Sequence, residues 1–310
     1  MAAYQIHEDY LKLQITVPLY APILPSLQRM TRFMFKRQSI PNTIDHCTYG
    51  IGCQDGHSIS IEIFSPCGLA HNAPCLLFLH GGAFVLPATG YHKRLMCDYA
   101  LGCACKVVFV DYRLAPRYPY PHGLADCFSV YNWLLEHAQT LDIDIDRIGV
   151  CGDSSGGALA AALTLMIRDR SIKKPLFQLL VYPVLDMRMT TGSMKIFQDT
   201  PIWNAKLNQK MWKLYVPKNQ VLDRPEYASP ALSASFDNVP KCYIEVNEYD
   251  CLRDEAINYS QNLSQSKIDI VLVQTKGTVH GFELNYRSGY TQQIIKTRID
   301  YMNRQFYADP

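Results

Sequence analysis

Short apolar runs alternate along this chain with segments long enough to form helices, and this alternation constrains the fold more than any other feature. Continuous apolar runs are typical of strands buried on both faces of a parallel sheet, and the polar–apolar alternation at 58–64 is typical of a half-buried strand. The predicted strands are 58–64, 75–79, 107–110, 148–151, 177–182, 242–246 and 270–274, and the predicted helices are 92–103, 124–139, 155–168, 255–266 and 292–306. This order predicts the α/β class, with a mostly parallel central sheet flanked by helices.

Two segments depart from the alternation. Residues 1–44 contain prolines at positions 18, 22 and 25, which exclude one continuous helix, and a basic cluster formed by Arg29, Arg32, Lys36 and Arg37. A basic amphipathic segment can lie on a membrane, but we favour a cap packed over the main domain. Residues 187–227 lack a strand pattern, and we expect a helical insertion at the C-terminal edge of the sheet, where ligands bind in open α/β folds. The expected organisation is an N-terminal cap segment (1–44) and a main domain (45–310) that carries a second cap element at about 187–227.

The segment GDSSGG at 152–157 lies between an apolar strand and an alanine-rich helix. A G-x-S-x-G pattern in that context is typical of a sharp strand-to-helix turn that lifts a serine hydroxyl to the edge of the sheet. Ser154 has glycines two residues away on both sides, whereas Ser155 has Asp153 and Gly157 there, so Ser154 is the better candidate nucleophile. As the following residue, Ser155 is expected to contribute its backbone N–H to an oxyanion hole.

A second glycine motif, HGGAF at 80–84, directly follows the predicted strand 75–79. Glycines at such a position let the main chain approach a substrate carbonyl with its N–H groups pointing at the oxygen. A Gly–Gly pair after a strand can also be only a turn, but the serine turn later in the chain favours Gly81 and Gly82 as oxyanion donors. We expect His80 to support this loop rather than to act as a base.

The candidate base follows from elimination. In chains with this type of turn, the order is serine, then acid, then histidine, and His280 is the only one of the nine histidines that follows Ser154. The acid should lie between them, in a loop after a strand. Asp250 occupies such a loop before the helix at 255–266, and Glu248 is the lesser candidate. The carboxylate would hold His280 in the required tautomer and stabilise its imidazolium form.

Six segments together resemble the hormone-sensitive-lipase group of α/β-hydrolases, which includes bacterial short-chain esterases and arylacetamide deacetylase. They are HGGAF at 80–84, DYRLAP at 111–116, GDSSGG at 152–157, YPVLD at 182–186, DCLRDE at 250–255 and HGF at 280–282. The resemblance implies an α/β-hydrolase fold with a helical cap over the acyl pocket, a catalytic triad of Ser154, Asp250 and His280, and oxyanion donors at Gly81, Gly82 and Ser155. Because the cap and the last strand often form homodimers in this family, it also implies that the chain can form a homodimer.

The resemblance gives other residues a structural role and exposes two departures. Arg113, with Asp126 downstream, would brace the loop beside the site. Ser155 stands where the family usually has alanine, and Ala158 where it often has asparagine. A hydroxyl at position 155 leaves the backbone donor intact but could add a polar group near the leaving group, so rate or specificity is affected more than the type of reaction.

Composition narrows the classes of partner and compartment. A formal net charge of +2 implies no polyanionic partner such as a nucleic acid. The eleven cysteines, several of them inside apolar runs, indicate buried free thiols, and no pair at zinc-like spacing accompanies Cys103 and Cys105. The first residues lack a secretory signal pattern, and no apolar stretch reaches the roughly 18 residues that span a bilayer. A cytoplasmic location is therefore the default expectation.

The sequence thus predicts a serine carboxylesterase that hydrolyses small, short-acyl carboxylic esters through an acyl-enzyme, with no metal or organic cofactor. Short acyl chains are expected because the cap is compact and carries no long lipid-binding extension. Two alternatives stay open. The same machinery could cleave an amide, as in an amidase or deacetylase. The plant gibberellin receptors resemble this family and are non-catalytic, but they lack the catalytic histidine that is present here as His280.

Overall fold

The computed structural model describes residues 4–17, 19–53 and 55–308. At its centre lies one eight-stranded sheet. Its strands are β1 (Ile44–Gly52), β2 (Ser58–Pro66), β3 (Ala73–Leu79), β4 (Lys106–Asp111), β5 (Ile143–Asp153), β6 (Phe177–Val181), β7 (Lys241–Tyr249) and β8 (Ile270–Val279). In space they follow the order β1-β2-β4-β3-β5-β6-β7-β8. Strand β2 is antiparallel to both of its neighbours, and all other pairs are parallel. This is the mostly parallel sheet that the sequence predicts.

The edge strand β1 is the one strand that the sequence patterns did not indicate. It pairs with β2 from Ile44 opposite Pro66 to Gly52 opposite Ser58. Its side chains are exposed except for those of Ile44 and Ile51. A strand that buries so little has neither an apolar run nor an alternating pattern, so only its pairing partner defines it.

Helices cover both faces of the sheet. They are α1 (Leu24–Arg37), α2 (Gly90–Cys103), α3 (His122–His137), α4 (Ser155–Asp169), α5 (Gly192–Ile196), α6 (Ala205–Tyr215), α7 (Pro225–Ala228), α8 (Arg253–Gln265) and α9 (Gly289–Tyr307). Successive side chains of β3 enter different cores: Leu77 belongs to the core that also contains residues of α3, α4 and α8, whereas Phe78 belongs to the core that contains residues of α2 and α9. The five helices predicted from sequence correspond to α2, α3, α4, α8 and α9. No helix among the described residues has the length and apolar composition needed to cross a bilayer.

The two predicted cap segments are helical and touch each other. Residues 187–227 contain α5, α6 and α7, while two 3-10 turns and α1 form most of the helical structure of residues 4–44. Proline 25 lies in the first turn of α1, where its missing N–H costs no intrahelical bond, and proline 18 lies outside the described residues. The N–H of Ile202 donates to the carbonyl oxygen of Ile15 at 2.7 Å, and Thr16 forms a β-bridge with Ile202. The N-terminal segment therefore packs against the insertion.

Most cysteines are buried free thiols, as their positions inside apolar runs predict. All eleven are free thiols, and nine of them are buried. Burial raises the pKa of the Cys75 thiol to about 12, so this group stays protonated at neutral pH.

Candidate active site

Ser154 occupies the sharp turn between β5 and α4. Its backbone has φ 53° and ψ −119°, a conformation that residues other than glycine rarely adopt and that is retained at functional sites. A Cβ added to Gly152 would lie 2.2 Å from the carbonyl oxygen of Gly156, and one added to Gly156 would lie 2.0 Å from that of Leu79. Only glycine fits at these two positions, so the turn has the steric origin that the glycine spacing predicts.

Three side chains from separate loops meet at this turn. His280 Nε2 lies 2.8 Å from Ser154 Oγ, and His280 Nδ1 lies 2.7 Å from Asp250 Oδ2. All three side chains are buried. Because β5, β7 and β8 are parallel, the loops that follow them reach the same edge of the sheet. The structure thus brings together the serine, histidine and aspartate that the sequence singled out.

The two candidate acids have different partners. Asp250 accepts the N–H of Leu252 at 3.0 Å on Oδ1 and a side-chain N–H of Asn247 at 3.3 Å on Oδ2. These bonds orient the carboxylate towards the histidine. The side chain of Glu248 instead accepts the N–H of Gly277 at 2.8 Å. Geometry therefore favours Asp250, with Asn247 as an orienting residue that the sequence patterns did not indicate.

Aromatic side chains fix the imidazole of His280. Its ring centroid lies 4.6 Å from that of Tyr182 and 6.0 Å from that of Trp203. Tyr182 donates its hydroxyl to Glu283 at 2.7 Å, and Glu283 pairs with the fully buried Arg298 at 2.5 Å. This network connects α9 to the loop that carries His280, and it satisfies charges that would otherwise be buried without a partner.

The loop that follows β3 at residues 80–84, called the glycine loop below, differs from the sequence prediction at Gly81. The N–H of Gly81 donates to Asp153 Oδ1 at 2.9 Å, so it is already committed, and its assignment as an oxyanion donor is corrected. Gly82 and Ala83 line a cavity beside Ser154, and their N–H groups have no acceptor among the described residues. Gly82 has φ 131°, and a Cβ there would lie 2.3 Å from a backbone oxygen. The free donors of this loop are therefore those of Gly82 and Ala83.

His80 supports the loop, in agreement with the expectation from sequence. It is fully buried, stacks on Tyr112 with ring centroids 4.3 Å apart, and its Nδ1 lies 2.6 Å from the carbonyl oxygen of Gly81. Tyr112 donates its hydroxyl to the carbonyl oxygen of His80 at 2.7 Å. Burial, assisted by the nearby His92, lowers the pKa of His80 to about 3. The imidazole is thus neutral at pH 7 and can be buried without a counter-ion.

Asp153 is a second residue at the site that the sequence patterns missed, after Asn247. Besides the N–H of Gly81, it accepts hydrogen bonds from the hydroxyl of Tyr91 at 3.0 Å and from His92 Nε2 at 3.2 Å. Burial alone raises the pKa of Asp153, but the attraction to His92 and the surrounding donors outweigh it and lower the pKa to about 2. An ionised carboxylate therefore ties the glycine loop to the serine turn. Its position directly before Ser154 is the signal that could have identified it.

The cavity beside Ser154 has a volume of about 140 Å³. Its wall includes Val17 from the N-terminal segment and Ile202 and Trp203 from the insertion. This volume is well below the roughly 300–1,000 Å³ of sites for drug-sized ligands. Ser155 is fully buried, and Ser154 is the serine of the pair that lines the cavity. The hydroxyl of Ser155 is therefore not placed beside a leaving group, contrary to the possibility raised by the sequence.

Arg113 and Asp126 form a buried ion pair, as the DYRLAP motif implies. Arg113 Nη2 lies 2.6 Å from Asp126 Oδ1, and the backbone N–H of Arg113 donates to Oδ2 at 2.8 Å. Two residues further on, the N–H of Ala115 donates to the carbonyl oxygen of Phe84 at 2.9 Å. The ion pair thus anchors the segment that holds the end of the glycine loop.

Comparison with known proteins identifies one matching family model and several similar esterases. A family model described as the α/β hydrolase fold matches residues 76–284. The esterase LipI of Mycobacterium tuberculosis is 32% identical over 226 residues, which cover 72% of this chain and 71% of that protein. An arylesterase of Saccharolobus solfataricus is 31% identical over 229 residues, 74% of each chain. Among solved structures, a bacterial heroin esterase has a TM-score of 0.90 at 27% identity and covers 98% of this chain and 99% of that one.

The matched region contains every motif from the glycine loop to the histidine at the end of β8. The fold extends over nearly the whole chain in the structural comparison. This chain therefore belongs to the α/β-hydrolase-fold family, within the hormone-sensitive-lipase-like group that its motifs resemble.

Proposed function

We propose that the chain is a serine carboxylesterase that hydrolyses small carboxylic esters. The observation that carries the proposal is the continuous series of hydrogen bonds from Ser154 Oγ through His280 to Asp250, at 2.8 and 2.7 Å. A hydroxyl next to an oriented imidazole is the arrangement that activates a serine for nucleophilic attack. The relatives named as an esterase and an arylesterase support this class of reaction.

The first half of the reaction forms an acyl-enzyme. Ser154 Oγ attacks the carbonyl carbon of the ester while Nε2 of His280 takes the hydroxyl proton. Asp250 accepts the hydrogen bond of Nδ1–H and so stabilises the imidazolium that forms. The bond from the carbonyl carbon to the alcohol oxygen then breaks, and His280 gives its proton to the departing alcohol.

The second half repeats these roles with water. A water molecule that enters the vacated alcohol position loses a proton to His280 and attacks the acyl carbon. Collapse of the tetrahedral intermediate breaks the bond to Ser154 Oγ, which regains the proton from His280. The products are the carboxylic acid and the free enzyme.

Backbone N–H groups carry the negative charge of the intermediates. Gly82 and Ala83 supply donors from the glycine loop, and Ser155 supplies one at the first position of α4, where the helix dipole also favours negative charge. We include Ala83 instead of Gly81 because the N–H of Gly81 is bound to Asp153. Loss of one such donor costs roughly 10²–10³ in kcat.

The cap segments limit the size of the acyl group that the cavity can hold. Val17, Ile202 and Trp203 close a cavity of about 140 Å³ with apolar surface. A cavity of this size accommodates a short acyl chain, and we propose acetyl to butyryl esters as the substrate class. The N-terminal segment and the insertion would together cover the acyl group, because each contributes to the cavity wall.

Hydrolysis of p-nitrophenyl acetate and butyrate by wild type and Ser154→Ala tests the proposal. We expect Ser154→Ala to lose nearly all activity, because the nucleophile is removed. Ser155→Ala is the matched control, since it deletes the neighbouring hydroxyl but keeps the backbone N–H, and it should retain most activity. Equal activity of wild type and Ser154→Ala would contradict the assignment.

The same experiment separates esters from amides. Acetanilides carrying the same acyl group present the same carbonyl to Ser154 but a poorer leaving group. The proposal predicts that the ester is hydrolysed faster than the matching anilide at equal concentration. Faster cleavage of the anilide would assign the chain to the amidases instead.

A further inference from the structure

Exposed apolar side chains concentrate at the N-terminal end of the described chain. Fourteen large hydrophobic residues are exposed among the described residues, and seven of them lie between positions 11 and 34. A soluble surface rarely gathers apolar side chains in one place without a binding role. The part of this region with a defined helical surface is α1 and the turn before it, from position 20 to 37.

The inner face of α1 is anchored to the main domain. Leu24 is fully buried, and Gln28 donates to the carbonyl oxygen of Val85 at 2.7 Å. Arg32 pairs with Asp111 at 3.3 Å at the end of β4. These contacts fix the rotation of the helix, so the residues on its opposite side stay in solvent.

The outer face of α1 carries an apolar stripe. Met30 and Met34 are 54% and 61% exposed, and their spacing of four residues puts them on one side of the helix. Ile23, 44% exposed, lies seven residues before Met30 at the end of the 3-10 turn that leads into α1 and continues the stripe. Phe33, 57% exposed, lies next to this stripe. The fourteen residues of α1 span about 21 Å along the axis, so the stripe is long enough to contact an extended surface.

Positive charge borders the stripe. Arg29 and Lys36 are seven residues apart on the neighbouring side of the helix, and Arg37 packs over the ring of Phe33 at 5.1 Å. These three cations form no ion pair with any described residue. No aspartate or glutamate occurs anywhere in positions 10–44. An apolar stripe with an uncompensated basic edge is the composition of helices that lie in the interface of anionic membranes.

We propose that the outer face of α1 binds the surface of an anionic lipid bilayer, with Met30, Phe33 and Met34 among the acyl chains and Arg29, Lys36 and Arg37 at the headgroups. A second copy of the chain is the less suitable occupant. A two-fold contact through this face would place the same uncompensated cations of both copies together. The inference does not depend on the proposed esterase activity, since none of these residues lines the cavity beside Ser154.

Co-sedimentation with lipid vesicles tests the inference on the full chain. Vesicles of equimolar phosphatidylcholine and phosphatidylglycerol are compared with vesicles of phosphatidylcholine alone. We expect binding to the anionic vesicles that weakens as sodium chloride is raised, because salt screens the charges at the headgroups. Absence of binding to the anionic vesicles at low salt would overturn the inference.

Paired variants locate the binding surface. Arg29→Gln with Lys36→Gln removes two cations, and at about fivefold per cation near an anionic surface the partition coefficient should fall about 25-fold. The matched control is Lys206→Gln with Lys213→Gln, which removes two exposed cations at the same spacing from α6. The control should bind as wild type does, and an equal loss in the control would contradict the assignment to α1.

A second pair tests the apolar stripe. Met30→Gln with Met34→Gln keeps side-chain length and helix propensity but removes the apolar surface, and should weaken binding about tenfold or more. Circular dichroism and thermal unfolding establish that each variant is folded. Sedimentation velocity without lipid gives the oligomeric state: a wild-type dimer that Met30→Gln with Met34→Gln converts to a monomer would assign the face to contact between copies and overturn the membrane inference.

Discussion

Replacing Asp153 by asparagine should loosen the glycine loop while leaving Ser154, His280 and Asp250 unchanged. The carboxylate accepts hydrogen bonds from Gly81, Tyr91 and His92. An asparagine can still accept the N–H of Gly81 on its oxygen. Its amide nitrogen, however, would face the donors of Tyr91 and His92, so at least one buried donor loses its partner.

The magnitude follows from the pKa of Asp153, which falls from 3.8 to about 2 in the folded chain. A shift of this size corresponds to about 2 kcal/mol of stability from the ionised carboxylate. A buried unpaired donor adds a cost of about 1–3 kcal/mol. We therefore expect Asp153→Asn to lower the free energy of unfolding by about 3 kcal/mol, and to lower kcat/KM about tenfold or more as the donors of Gly82 and Ala83 lose their fixed position.

Urea unfolding and hydrolysis of p-nitrophenyl butyrate measure both effects, with Asp223→Asn as a control because Asp223 is exposed. Since the folded pKa is depressed, the stabilisation is present above pH 3.8 and is lost as the pH falls through about 2. The stability gap between wild type and Asp153→Asn should therefore shrink over that interval. A gap below about 0.5 kcal/mol at pH 7 together with unchanged kcat/KM would show that Asp153 does not hold the glycine loop in place.

Three further predictions concern single substitutions at other positions. Asp250→Asn should lower kcat about 10³–10⁴-fold with little change in KM, measured by steady-state kinetics, because the imidazole loses the partner that fixes its tautomer; an effect below tenfold would contradict this role. Gly156→Ala should prevent folding, because the new Cβ would lie 2.0 Å from the carbonyl oxygen of Leu79, whereas Gly289→Ala has open space and should unfold at the wild-type temperature. Burial raises the pKa of the Glu255 carboxyl well above its usual value of 4.5, so the folded chain favours the protonated form. Wild type therefore loses stability as the pH rises above 4.5, because the unfolded chain ionises there first. Glu255→Gln does not titrate and should gain stability relative to wild type over that range in urea titrations.

The sheet was predictable wherever strands are buried on both faces. Strand β3 is buried along its whole length, and its continuous apolar run indicates that burial directly. Strand β1 was not predictable because seven of its nine residues are not buried and only its pairing with β2 defines it. Local composition therefore describes the centre of this sheet better than its edge.

The candidate site was predictable where chain order and backbone geometry leave few choices. His280 is the only histidine after the serine turn, and steric contacts leave glycine as the sole residue that fits at positions 152 and 156. The assignment of Gly81 failed because a pattern of glycines does not show which N–H already has an acceptor. That acceptor, Asp153, is remote from Gly81 in sequence and adjacent to it only in the folded chain.

Labelling with a fluorophosphonate tests directly whether Ser154 is a nucleophile activated by His280. The reagent forms a covalent bond with an activated serine oxygen, and peptide mass spectrometry identifies the modified residue. We expect one adduct, on Ser154, that persists in Ser155→Ala, is absent from Ser154→Ala and is strongly reduced in His280→Ala. An adduct on Ser155, or wild-type protein that is folded and remains unlabelled, would contradict this role for Ser154.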